Sequence, residues 1–188
     1  MKHIIFIIPL LILGSCKPCT CEEDSLDKII AYQSDDKYFK SALVSLHFMM
    51  ETSSVDEVDT LFRQLIEMYK LPFTASEAKD GIYHGVSPYD AFDYRHEVRI
   101  EIKEGKFAAV DYNEVHKDGK GKQEDVEYCE EMSVTGTTPA IAYPEMEEML
   151  LNTQNMMEVD AVAGASYSLY RFRYAVSLAL MQAMLDFH

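Results

Sequence analysis

The residues best suited to chemistry stand together near the C-terminal end of this chain, in Val159-Asp160-Ala161-Val162-Ala163-Gly164-Ala165-Ser166-Tyr167-Ser168. A carboxylate opens the segment, small residues follow, and a hydroxyl is delivered where a helical pattern begins. The free N–H groups and the dipole of a helix N-terminus favour a phosphate or another anion. Gly164 and Ala165 let a ligand come close to the backbone. The same spacing fits a plainer use, in which Ser166 or Ser168 only caps the helix. Spacing alone leaves both open.

Other reactive side chains make weaker patterns. The six histidines (His3, His47, His84, His96, His116 and His188) show no paired metal-ligand spacing, so no metal site is expected. Lys117, Lys120 and Lys122 lie in a glycine-containing loop that could neutralise a phosphate. That loop lacks the phosphate-loop pattern and reads as a solvated turn. Cys129 reads as a small core residue, and the eleven methionines as core filler.

The N-terminus points to export and a lipid. Lys2 gives a positive flank, and residues 4–13 are apolar throughout. A bilayer span needs about 20 residues, so the run suits a signal peptide instead. It ends in Leu13-Gly14-Ser15-Cys16, which looks like a lipobox. Cys16 is therefore expected to be acylated and to anchor the mature chain outside the cytoplasm, on a periplasmic or cell-surface face. Cys19 and Cys21 have no second ligand pair near them and read as tether cysteines. The net charge of −15 argues against nucleic-acid binding, which is driven by Lys and Arg neutralising phosphates. It argues equally against a protein lying flat on anionic lipid.

The elements that must position the C-terminal segment read as α+β, a small antiparallel sheet packed with helices and preceded by a helical hairpin. Residues 1–15 are signal, 16–24 tether and 25–78 a helical appendage. In the appendage Ser54-Val55-Asp56-Glu57 is a capping box, with apolar residues at helical spacing up to Tyr69 behind it. An earlier helix is expected over 37–51. Asp80-Gly81 is a turn signal, and Val98, Ile100 and Ile102 alternate with charged residues at the period of a strand with one wet face. Glu104-Gly105 turns into a second strand over 107–115. Helices are expected at about 123–132 and 140–153. A last one, over 168–186, carries Leu169, Phe172, Val176, Leu180 and Ala183 on one face.

The segment at 160–166 resembles the signature of the FMN-binding domain family: Asp, two variable residues, Ser or Thr, Gly, Ala, then Thr or Ser. Asp160, Gly164, Ala165 and Ser166 match, while Ala163 stands where most members have a hydroxyl. The likeness extends to Asp80-Gly81-Ile82-Tyr83-His84-Gly85, similar to the family's opening strand. Val98 to Lys106 and Val110-Asp111-Tyr112 are similar to its hairpin. Lys117-Asp118-Gly119-Lys120, Tyr128 and Met132 are similar to features of its membrane-anchored lipoproteins. The resemblance implies that 79–188 is an FMN-binding domain. It implies that a flavin transferase attaches FMN by a phosphoester to Ser166, amid Asp160, Ala163, Gly164, Ala165 and Tyr167. It also implies exchange of electrons with a membrane redox partner, as a carrier rather than a stand-alone enzyme. His84 and His96 could face the flavin or be surface-strand residues. Tyr83, Tyr89, Tyr94 and Tyr112 could flank its ring or serve the core. FMN could also be held without a covalent bond. Two other uses stay open: a binding or structural lipoprotein whose flavin site has decayed, and an FMN-dependent reductase of small molecules.

Overall fold

The structure, a computed structural model, describes residues 45–50, 52–69 and 71–185. The signal segment, Cys16, Cys19, Cys21, His3, His188 and most of the first appendage helix lie outside these residues. Of that helix, 45–50 is helical, with Leu46 and Met50 buried.

The capping box forms as its spacing predicts and opens helix α1, Val55–Tyr69. The Ser54 N–H and hydroxyl both donate to Glu57 Oε2, at 3.0 and 2.8 Å, and the Glu57 N–H donates back to Ser54 Oγ at 3.4 Å. Val58, Phe62 and Leu65 form its buried stripe. They belong to the same apolar cluster as Ile100, Phe172 and Val176, so α1 docks on the rest of the molecule through a common core.

Three antiparallel strands follow in sequence order: β1 Gly81–Val86, β2 Tyr94–Lys103 and β3 Lys106–His116. In β2 the expected alternation holds, with His96, Val98, Ile100 and Ile102 inside. Glu104 and Gly105 both have positive φ, 53° and 69°, as a tight hairpin demands. A bulge opposite Glu101 and Ile102 then shifts the register of β3. Beyond it the inward residues are Tyr112 and Glu114.

After a 3-10 turn at Lys122–Glu124 come α2 (Val126–Ser133), α3 (Pro139–Thr153), a second 3-10 turn at Met156–Glu158 and α4 (Ser166–Leu185). Helix α3 lies along β3, where Gln154 and Glu147 accept from the edge N–H groups of Phe107 and Tyr112 at 2.8 and 2.7 Å. Gln182 of α4 does the same for His84 on β1 at 3.1 Å. Helix α4 departs from the one-faced helix expected: every residue from Ser168 to Met181 is buried, because α4 runs between the sheet and α1. Gly85 permits its close approach. A Cβ there would lie 1.9 Å from the Ala175 carbonyl oxygen.

Candidate functional site

The segment ahead of α4 is built from the 3-10 turn upward. Asn155 caps that turn by accepting from the Met157 N–H at 3.0 Å. Buried Arg173 then gathers the carbonyls of Met156, Met157 and Val159 at 3.1, 3.3 and 2.8 Å. From this fixed base Asp160, Ala161, Ala163 and Gly164 run exposed. The Ala165 N–H closes a turn onto the Val162 carbonyl at 2.9 Å, with Gly164 at φ +82°. A Cβ on Gly164 would fall 2.2 Å from Thr135 Oγ1, so the α2–α3 connection backs directly onto this glycine.

The plainer use of the serines does not survive. The residue whose carbonyl accepts the first α4 bond, from the Leu169 N–H at 3.2 Å, is Ala165, which has no side-chain acceptor. Ser166 is the first helical residue, half-buried, and Ser168 is buried a half-turn further on. Neither hydroxyl makes a hydrogen bond among the described residues.

One residue beyond Ser166, α4 enters the wall of a cleft of about 880 Å³. Tyr167 and Arg171 line it from the helix, Tyr94 and His116 from the open end of the sheet, and Lys122 and Tyr128 from the connection and α2. The Tyr94 and His116 rings pack 5.1 Å apart. Phe92 and Val126 stand exposed at its mouth.

Beneath the cleft lies a buried charge cluster. Glu114, wholly enclosed, accepts from Lys122 Nζ at 2.7 Å, Arg171 Nη1 at 3.3 Å and the Tyr112 hydroxyl at 3.2 Å. Burial alone would raise its carboxyl, but the Lys122 and Arg171 charges outweigh burial and hold it at about 2. Lys122 sits between two rings, 4.8 Å from the centre of Tyr94 and 4.5 Å from that of Tyr128. Burial pushes His96, with Nδ1 4.0 Å from Glu114, down to about 3, so its imidazole is neutral. Burial and a 2.9 Å bond to Asp125 push the Tyr94 phenol up to about 12.

No protein-family model matches the chain. Over 110 residues it is 30% identical to the 15 kDa lipoprotein of Treponema pallidum (strain Nichols), a match covering 57% of this chain and 77% of that protein. The chain belongs to the 15 kDa lipoprotein family. Among solved structures, the CPE2226 protein of Clostridium perfringens is 30% identical, with a TM-score of 0.52 over 56% of this chain and 88% of its own. No helix among the described residues of this family member is long and apolar enough to cross a membrane.

In this member of the family the predicted site residues divide. Tyr167 lines the cleft, Ser166 lies half-buried one residue before it, outside the lining, and Ala165 is buried. Asp160 is exposed and makes no hydrogen bond among the described residues, so it does not brace the loop; Arg173 does. Of the four tyrosines only Tyr94 lines the cleft. Tyr83 and Tyr112 are core, and Tyr89 lies exposed under Arg95. His84 is exposed on β1, whereas His96 is buried and no surface residue. The basic loop is solvated at Lys117 and Lys120 only, because Lys122 turns inward to Glu114. Cys129 is half-buried on α2, its thiol raised by burial and directed at the Lys122 and Gln123 carbonyls.

Sequence reasoning missed Glu114, His116 and Arg171. For Glu114 a signal existed: it shares the strand phase of Tyr112, which puts a carboxylate on the inward face. Arg171 gave none, since its partner lies 57 residues away.

Proposed function

We propose that this lipoprotein is anchored outside the cytoplasm by an acyl group on Cys16 and carries FMN, joined by a phosphoester to Ser166, for electron transfer. The observation that carries the reading is an unspent hydroxyl at the first position of α4, one residue from an aromatic-walled cleft of about 880 Å³. FMN supplies reversible redox chemistry when bound. The chain's own residues supply the rest. The first-turn N–H groups of α4 would hold the phosphate. Gly164 keeps the loop against Thr135, and Arg173 fixes its base. Tyr167, exposed in the cleft wall, offers a face on which a planar ring can rest. The exposure of Asp160, Ala163 and Gly164 leaves the attachment loop open to a flavin transferase. A membrane redox partner would donate or accept the electrons.

A second reading is a structural lipoprotein with a decayed flavin site, favoured by Ala163 in place of a hydroxyl and by the unbonded Asp160. Peptide mass mapping separates the two. The chain is produced with a flavin transferase, beside its Ser166→Ala variant. A gain of one FMN moiety, about 438 Da, on the peptide holding Ser166 and its loss in the variant are expected. An unmodified peptide from a colourless protein would leave the decayed site as the account.

A further inference from the structure

We propose that the outward face of α2, with Phe92 across the cleft mouth, is the docking surface for a protein partner that presents lysines or arginines around a small apolar centre. On the FMN reading above that partner is the membrane redox protein; the surface itself does not depend on that reading. Helix α2 buries only Met132 and turns Val126, Glu127, Glu130, Glu131 and, at its C-cap, Val134 to solvent. Val134, Phe92 and Val126 are the three most exposed large apolar side chains among the described residues, at 86%, 69% and 69%. Phe92 and Val126 share the mouth of one cleft, and Val134 stands about 12 Å along the helix from Val126. Apolar side chains exposed singly need no explanation, but three gathered in one patch mark a contact surface.

The charge around them selects the partner. Glu124, Glu127, Glu130 and Glu131 are exposed and form no ion pair among the described residues. The other acidic groups at the mouth are spent. Asp93 faces Lys117 at 2.5 Å, Asp118 faces His116 at 3.0 Å and Lys120 at 4.0 Å, and Asp125 holds the Tyr94 hydroxyl and caps α2. Lys122, the lysine at the start of this stretch, is turned inward to Glu114. An anionic membrane would be repelled by such a face, and a second copy meeting it about a two-fold axis would set glutamates against glutamates. A basic protein surface satisfies both parts, its apolar centre on the valines and Phe92, its cations on the carboxylates. The face ends beside the loop that leads to Ser166. Thr135, next to Val134, lies against that loop, its Oγ1 2.2 Å from where a Cβ on Gly164 would fall.

The test uses the full chain, with and without flavin, and cytochrome c as the probe, because lysines ring its exposed haem edge. Binding is read by titration calorimetry across a salt series. Glu127→Gln, Glu130→Gln and Glu131→Gln together are expected to weaken binding about tenfold at low salt and to flatten its salt dependence. The same charge loss elsewhere, by Glu67→Gln, Glu145→Gln and Glu148→Gln together, is expected to leave affinity within about twofold. Val126→Ser with Val134→Ser is expected to weaken binding about fivefold with the salt dependence unchanged. All these side chains are exposed, so the fold is kept. Equal affinities for the two triple variants would reduce the binding to net charge and overturn the proposal, as would a wild-type chain that does not bind. A dimer of the free protein that Val134→Ser disperses would overturn it in favour of a second copy. The expected pattern in a chain that takes up no flavin would sink the FMN reading and leave the surface standing.

Discussion

Two arginines stand two positions apart on α4 and leave it in opposite directions. Arg171 points to the sheet and meets Glu114, a carboxylate with no exposure. Arg173 points to the other side, where three carbonyls and Asp59, 27% exposed, receive it. Both guanidinium groups are buried, yet the fold depends on their carboxylates unequally. Around Glu114 the ions compensate one another, and removing the carboxylate takes the partner from two cations. Around Arg173 the backbone does most of the solvating, and Asp59 is an addition reached by water. The first arrangement suits a site where charge matters. The second fastens a loop.

Cutting the carboxylate on the sheet side should break the molecule. Glu114→Gln takes from Lys122 and Arg171 the carboxylate both are bonded to and should cost about 3–5 kcal/mol, read by urea unfolding. A cost under about 1 kcal/mol would mean that water reaches the cluster.

Acid should load the same side next. The imidazole of His96 binds its proton at about 3 when folded and near 6.5 when unfolded, so the unfolded chain takes up more protons between these values. Stability should therefore fall as pH drops below about 6.5, by at most about 1.4 kcal/mol per pH unit for one proton. Glu114, held at about 2 against an ordinary 4.5, contributes stability above 4.5 that is lost as pH falls toward 2. A pH series of urea melts on His96→Gln should lack the limb between 6.5 and 4.5 and keep the lower one.

The smallest effect belongs to the other arginine. Asp59→Asn should cost under about 1 kcal/mol, because the pair is partly wet and the carbonyls remain. A loss as large as that of Glu114→Gln would erase the distinction between the two regions.

What the sequence discloses follows the same division. The strand alternation of Val98, Ile100 and Ile102, the Glu104-Gly105 turn and the capping box at Ser54 are local, with partners within a few residues, and all are legible. The loop from Asp160 to Ser166 is legible for the same reason: its small residues and positive-φ glycine are consecutive. The charge cluster is not. Lys122 reads as one more loop lysine until the fold turns it against Glu114. Arg171 and Arg173 interrupt the apolar pattern of α4 and make a helix buried all round look one-sided. Long-range pairing converts residues that look wet into residues that are dry, and no local period records it.

The contact at Gly85 carries a consequence for descent. The obstacle a side chain would meet there is the backbone of Ala175 and Ala179, not another side chain. No second substitution on α4 can make room, as trimming a bulky neighbour does elsewhere in a core. A relative with any larger residue at this position must hold its last helix farther from its first strand. The residue found there is thus a ruler, reporting the helix–sheet spacing of a relative from its sequence.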